Sequence, residues 1–329
     1  MKYFFYLCLF LLVACHQPTE TIIMENNIRK PEITELPISS PLYVREVSVT
    51  PNYLFFIDSD QPFFHIYNKG DISYEGNLGS VGQGPNEFTM PLLLKNTDVI
   101  GDTIQVYDLG TSSIVDIVCK NMEIINSRSF PSELMGSPNI QIIDGIIYGN
   151  KDVGPGQYFI YSDKGMKWIP FVKEVLAVDE DNAFVNGNRI SVSPSKHRVV
   201  SAMRFYNLVC LYDIEGNLMK SVCIAKSLEL PQLDNSGVPT PESKIYATDI
   251  CSTDKLICIL FHSVSQKDFN YSSCNNSRIV CLDWDLNYLC TYQLSEYVSR
   301  ICYDSSNKKV IYISVDADGN KHIKSFVDT

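Results

Sequence analysis

The sequence predicts an all-β protein, a six-bladed β-propeller that follows an export leader and a short tether. Three observations lead there. A strand, turn, strand unit recurs six times, Gly and Asn occupy the turns, and no stretch after residue 30 keeps a helical period. The fullest copy runs from Tyr53 to Gly79, YLFFIDSDQPFFHIYNKGDISYEGNLG. The others begin at Thr103, Gly156, Asn207, Arg278 and Val310. Their anchor residues Tyr67, Tyr107, Tyr161, Tyr212, Leu282 and Val315 stand 40, 54, 51, 70 and 33 residues apart, which is blade length on average.

Each unit reads as a hairpin whose turn supplies the positive φ angles that a tight reversal needs. Asn68-Lys69-Gly70, Glu215-Gly216-Asn217 and Asp318-Gly319-Asn320 are such turns. A small sheet cannot bury both faces by itself, so six of them must stack around an axis, and a closed ring also removes long free edges. The expected boundaries are residues 1–14 for the leader, 15–40 for a polar, Pro-punctuated tether and 41–329 for the propeller. Closure is expected to pair PLYVREVSV, near residue 45, with the last hairpin.

The segment from YLFFID through FFHIYNKG to GSVGQGPNEF, residues 53–88, resembles an NHL-type repeat. There a strand ending in Asp, a strand ending before a Gly turn and a GxxGxGPxxF loop follow in that order. The mature chain is similar to the TolB-like six-bladed propeller lipoproteins of anaerobic Gram-negative bacteria. The other five units match that pattern loosely.

Composition narrows the function classes. With 45% hydrophobic and 20% charged residues the chain is globular. Its formal charge is −11, and a chain starting at Cys15 loses only Lys2 among its charges. A nucleic-acid partner is excluded, because binding a phosphate backbone takes clustered Lys and Arg and the basic spots here are isolated pairs such as Lys308-Lys309. The N-terminus, MKYFFYLCLFLLVAC, carries one cation and then an apolar run from Tyr3 to Ala14. That run is too short for a ~30 Å membrane core and suits a signal peptide. Its end, Leu12-Val13-Ala14-Cys15, resembles the bacterial lipobox, which implies cleavage before Cys15 and lipidation of its thiol. His16 stands where an Asp would imply inner-membrane retention, so the resemblance points to the outer membrane. The expected location is therefore the cell envelope, with the membrane contacted through the lipid.

Cys8 leaves with the leader and Cys15 takes lipid, so nine of eleven cysteines remain, an odd number. Several sit within strand-like runs, as in LVCLYD and LICILF, and are expected to be buried thiols, with one or two disulfides as the alternative. Spacings of seven residues, as between Cys251 and Cys258, do not suit zinc. No metal and no cofactor is expected.

No motif identifies catalysis. The glycines of GSVGQGPNEF are followed by a strand and no Lys-Ser/Thr, unlike a phosphate loop, so they are read as a link between blades with Phe88 as a plug. Asn86 and Glu87 in that loop are candidate binding residues, since such loops lie at a propeller face. D-x-G-x-x-W at Asp163–Trp168 resembles the Asp-box of sialidase propellers, an outer turn remote from their chemistry. The four histidines past the tether lie singly. The insert of residues 227–249, SLELPQLDNSGVPTPESKIYATD, reads as a long loop, and Tyr206 and Tyr246 beside it are nominated for a binding face. The expected function is a non-catalytic binding or scaffolding lipoprotein for a protein, peptide or glycan. The alternative is a metal-dependent hydrolase or lactonase with its site in the central channel.

Overall fold

A computed structural model of the chain describes residues 20–22, 26–38, 43–95, 101–137, 139–151, 154–172, 185, 187–193, 195–225 and 227–328. The leader expected over residues 1–14, and Cys15, lie outside the described residues.

Six sheets follow one another along the chain. Named from the axis outward, blade 1 comprises Val44–Val49, Tyr53–Asp58, Phe64–Asn68 and Tyr74–Leu78. Blade 2 comprises Pro91–Leu93, Thr103–Asp108, Ser113–Val118 and Glu123–Ser129, and blade 3 Asn139–Ile143, Ile146–Asn150, Tyr158–Ser162 and Gly165–Ile169. Blade 4 holds Asn188–Ser193, Arg198–Met203, Leu208–Asp213 and Leu218–Ile224. Blade 5 holds Lys244–Ser252, Ile257–Ser265, Ser277–Leu282 and Tyr288–Leu294. Blade 6 takes only Tyr297–Asp304, Lys309–Val315 and Lys321–Val327 from the C-terminal part of the chain. Neighbours within each blade are antiparallel hairpins, and the six anchor residues read from the sequence fall one to a blade.

The strand sequences explain the stacking. A strand buried on one face alternates apolar and polar residues, whereas one buried on both faces reads as a continuous apolar run. LFFI at Leu54–Ile57 is the second kind. Leu54 and Phe56 pack towards blade 6 with Ile311, Ile313 and Ile323. Phe55 and Ile57 point the other way, onto Val106, Val115 and Ile117 of blade 2. The same alternation repeats around the ring and yields six separate apolar clusters, one in each seam between blades. At the bases of the blades polar side chains latch neighbours together. Asp102 accepts from Thr50 Oγ1 at 2.8 Å and from Asn52 Nδ2 at 2.8 Å, and Lys69 Nζ reaches Asp304 at 3.0 Å across the closing seam.

Closure differs from the expectation. Val44–Val49 does not pair with the last hairpin; it is the innermost strand of blade 1 and bonds to Tyr53–Asp58. The fourth strand of blade 6 is Thr34–Glu35, antiparallel to Lys321–Val327. Val44 and Val47 still meet blade 6, but through side chains in the seam. An apolar strand pattern registers burial and does not distinguish a hydrogen-bonded partner from a stacked one. The stretch expected to be a tether also carries two further strands. Glu20–Ile22 runs parallel to the outer strand of blade 4, and Ile28–Arg29 parallel to that of blade 5. His322 Nδ1 lies 2.9 Å from Glu35 Oε1 and fastens the end of this strap.

Phe56 is fully buried in the closing seam. Phe56→Ala should therefore lower the unfolding free energy by about 3–5 kcal/mol in a denaturant titration.

Candidate functional site

The six innermost strands line the axis, and their sequences place charge there. In three consecutive blades the pairing register shifts just before a charged residue: between Ala247 and Asp249 in blade 5, Val298 and Arg300 in blade 6, and Val44 and Glu46 in blade 1. A bulge of this kind adds one residue to a strand and re-aims the side chain that follows. Lys95 comes from blade 2 just past Pro91–Leu93, Asn139 and Gln141 from blade 3, and Arg189 from blade 4. Together these residues surround a cavity of about 60 Å³ at the hub.

Two ion pairs organise it. Arg300 Nε donates to Glu46 Oε1 at 2.9 Å between neighbouring blades 6 and 1. Lys95 Nζ donates to both oxygens of Asp249 at 2.7 Å, and blades 2 and 5 stand opposite each other in a ring of six, so this bond spans the axis. Asp249 also accepts from the Ile301 amide at 2.9 Å. Lys95 also lines a second cavity of about 200 Å³, together with Val49, Gly101, Cys251, Cys302 and Tyr303 among others.

The electrostatics are asymmetric. Burial works against the charged form of Asp249, but Lys95, then Arg300 and the donated hydrogen bonds outweigh it, so the carboxyl titrates below the usual range. Glu46 and, less strongly, Asp249 hold the Arg300 guanidinium protonated against its burial. Arg189 is shifted downwards, by burial first and then by the Arg300 charge. It donates Nε to the Thr248 carbonyl at 2.9 Å, not to a carboxylate. Arg45, next to Glu46, likewise donates Nη2 to the Pro91 carbonyl at 2.6 Å, and its buried Nε has no partner. Three cations, Lys95, Arg189 and Arg300, thus line the cavity with two carboxylates, and Arg45 stands beside Glu46, in a chain whose formal charge is −11.

The residues nominated from the sequence lie elsewhere and are not brought together. Asn86 is exposed in the link between blades 1 and 2, in a left-handed conformation with φ 62° that Asn tolerates better than most residues. Glu87 Oε2 accepts from the Gly84 amide at 2.7 Å and so closes its own loop. Phe88 is the expected plug, edge-on to Phe64 with ring centroids 4.7 Å apart. Tyr206 and Tyr246 are corrections to the reading, because both are buried and offer no surface. Tyr206 packs in the seam between blades 3 and 4, joined by Leu228 and Leu233 of the insert. The Tyr246 hydroxyl donates to Glu229 at 2.8 Å. These tyrosines fasten the insert, whose final residues form the innermost strand of blade 5. Asn207 holds it too, accepting from the Glu229 amide at 2.7 Å. The histidines His65, His197, His262 and His322 fall in or beside four different blades or their turns. Among the described residues no group of three or more His, Cys, Asp or Glu is arranged to hold a metal ion.

The fold is that of a six-bladed β-propeller, with a charged hub closed by an axial ion pair. No protein-family model matches the chain, and no curated protein matches it in sequence. Solved structures match it in fold. A member of the DUF4221 family from Bacteroides vulgatus superposes with a TM-score of 0.61 at 13% identity, covering 92% of this chain and 96% of that one. A Bacteroides fragilis protein described as exported gives 0.60 at 12% identity over 94% and 99%. The WD40 repeats of RRP9 give 0.51 at 11% identity over 91% and 99%. At such identities the likeness concerns the fold.

The Asp249 carboxyl has a lower pKa folded than unfolded, so its stabilisation is present in full above about pH 4 and is lost as pH falls through the folded value. Asp249→Asn should flatten the acid limb of stability against pH, measured by urea unfolding between pH 2 and pH 7.

Proposed function

We propose that this chain is an exported, lipid-anchored propeller of the NHL/TolB-like type that binds without catalysing, and that it receives an acidic group of an envelope glycan, peptide or protein at the hub. The observation that carries the reading is the surplus of positive charge there. Arg45 and Arg189 are turned towards carbonyls while Glu46 and Asp249 are already engaged by Arg300 and Lys95. A half-buried guanidinium without a carboxylate partner can gain a charge-assisted hydrogen bond from an incoming carboxylate, and its fork geometry fits that group. The small cavity matches one such group and not a whole ligand, whose remainder would lie over the propeller face. The lipobox-like ending at Cys15, the GQGPNEF loop and the exported protein among the structural neighbours support the address and the type.

Titration calorimetry of an oligogalacturonate and of a Glu-rich peptide into the full chain tests the reading. At least one probe should bind at low salt and weaken as salt rises, and Arg189→Gln should reduce its affinity roughly tenfold, the scale of one charged hydrogen bond. Failure of both probes to bind, or binding unchanged in Arg189→Gln, would overturn it. The anchor is tested separately: Cys15→Ser should move the protein from the membrane fraction to the soluble fraction of lysed cells, and retention on membranes would refute lipidation as the attachment.

A further inference from the structure

The nine cysteines among the described residues are all buried thiols, as the strand-like runs implied, but four of them are not scattered. Cys251 stands opposite Cys258, Cys258 opposite Cys281, and Cys281 opposite Cys290. Cross-strand partners share a face of the sheet, so the four form one row across every strand of blade 5. The row faces blade 6 and packs with Val298, Ile301, Val310 and Tyr312. Spacings of 7, 23 and 9 residues hide it in the sequence.

The pairs within the row are not equivalent. The Thr253 amide donates to the Leu256 carbonyl at 2.8 Å and closes the first hairpin, so residues 253 and 256 form a hydrogen-bonded pair. Antiparallel positions alternate between bonded and non-bonded pairs, and a residue bonded to one neighbouring strand is non-bonded to the other. Two residues along, Cys251 and Cys258 are again a bonded pair, and Cys258 with Cys281 is then a non-bonded one. At such positions the Cα atoms approach to about 4.5 Å, within the span of a disulfide. The two sulfurs are 3.9 Å apart, and closing to a bond of about 2.05 Å takes only side-chain rotation.

We propose that Cys258 and Cys281 form a thiol–disulfide site, oxidised by exchange with a small-molecule disulfide. Entry is at the end of the row, where Cys251 lines the cavity of about 200 Å³ beside the axis. The Cys251 thiolate attacks the oxidant's disulfide, forms a mixed disulfide and releases one thiolate. Cys258, giving up its proton, attacks the Cys251 sulfur and releases the second thiolate. Cys281 then attacks the Cys258 sulfur, which forms the 258–281 bond and returns Cys251 as a thiol. Two protons and two electrons leave the protein in total, and the oxidant becomes two thiols. The last step is favoured by the setting of Cys281. In the reduced protein thiols of Cys258 and Cys290 on either side donate towards its sulfur and lower its pKa against burial, and once Cys258 is bound to Cys251 the Cys290 thiol and the nearby Arg29 remain to stabilise the Cys281 thiolate.

The test is peptide mapping of the full chain after equilibration with oxidised and then with reduced dithiothreitol, together with thiol titration under denaturing conditions. The oxidised protein should contain a linked Cys258–Cys281 peptide and two fewer thiols than the reduced protein. Cys281→Ser should abolish that two-thiol difference, whereas Cys119→Ser, in a different seam, should keep it. Absence of the linked peptide from the oxidised wild-type chain would overturn the proposal even if Cys281→Ser fails to fold. So would a map in which only 251–258 or 281–290 is joined.

Discussion

Every blade of this protein depends on having a neighbour on each face. Its strands carry apolar side chains on both sides, so a blade isolated from the ring would expose two hydrophobic surfaces to water. Closing the sixth seam is therefore a condition for the other five. The chain meets it in two ways. Phe56, Leu54, Val44 and Val47 fill the seam from blade 1, and Thr34–Glu35 completes blade 6 from the opposite end of the sequence. Contacts that join residue 34 to residue 325 have a large loop-closure entropy, so this seam should be the last to form during folding.

Closing the ring brings six innermost strands around one axis, and their side chains converge on the hub. Three bulges at equivalent places turn Glu46, Asp249 and Arg300 into the same small volume, where charges of opposite sign must alternate or be neutralised. The Lys95–Asp249 bond across the axis makes the hub a plug and not a pore. The charge left over after pairing is positive and lies on carbonyl-bonded guanidiniums, which can be drawn towards an anion at less cost than a guanidinium already held by a carboxylate. On the function proposed above, recognition and stability would use different members of one cluster.

Much of the architecture was legible in the sequence because two-sided burial leaves a strong mark. Runs such as LFFI and LVCLYD, separated by Gly and Asn turns, gave six units and one anchor per blade. The strap was not legible. Two-residue strands such as Ile28–Arg29 carry no period, and their polar surroundings look like a linker. The hub was missed for a different reason. Single charged residues within VREV, ATDI and VSRI look like solvent-facing positions, and only the shared register shift shows that they converge. The tyrosines beside the insert misled because a long polar loop reads as exposed, whereas here Leu228, Leu233 and Glu229 bind it down over Tyr206 and Tyr246.

The strap also sets a length. Glu20 already pairs with Val222 on the outer edge of blade 4, so only four residues, five steps along the chain, separate it from Cys15. Fully extended, those five steps reach about 17 Å. With an acyl chain on Cys15, that rim would be held close to the lipid headgroups, and the disc would have little freedom to tumble. One side of the wheel would always be nearest the bilayer, and a partner could approach only from the remaining directions.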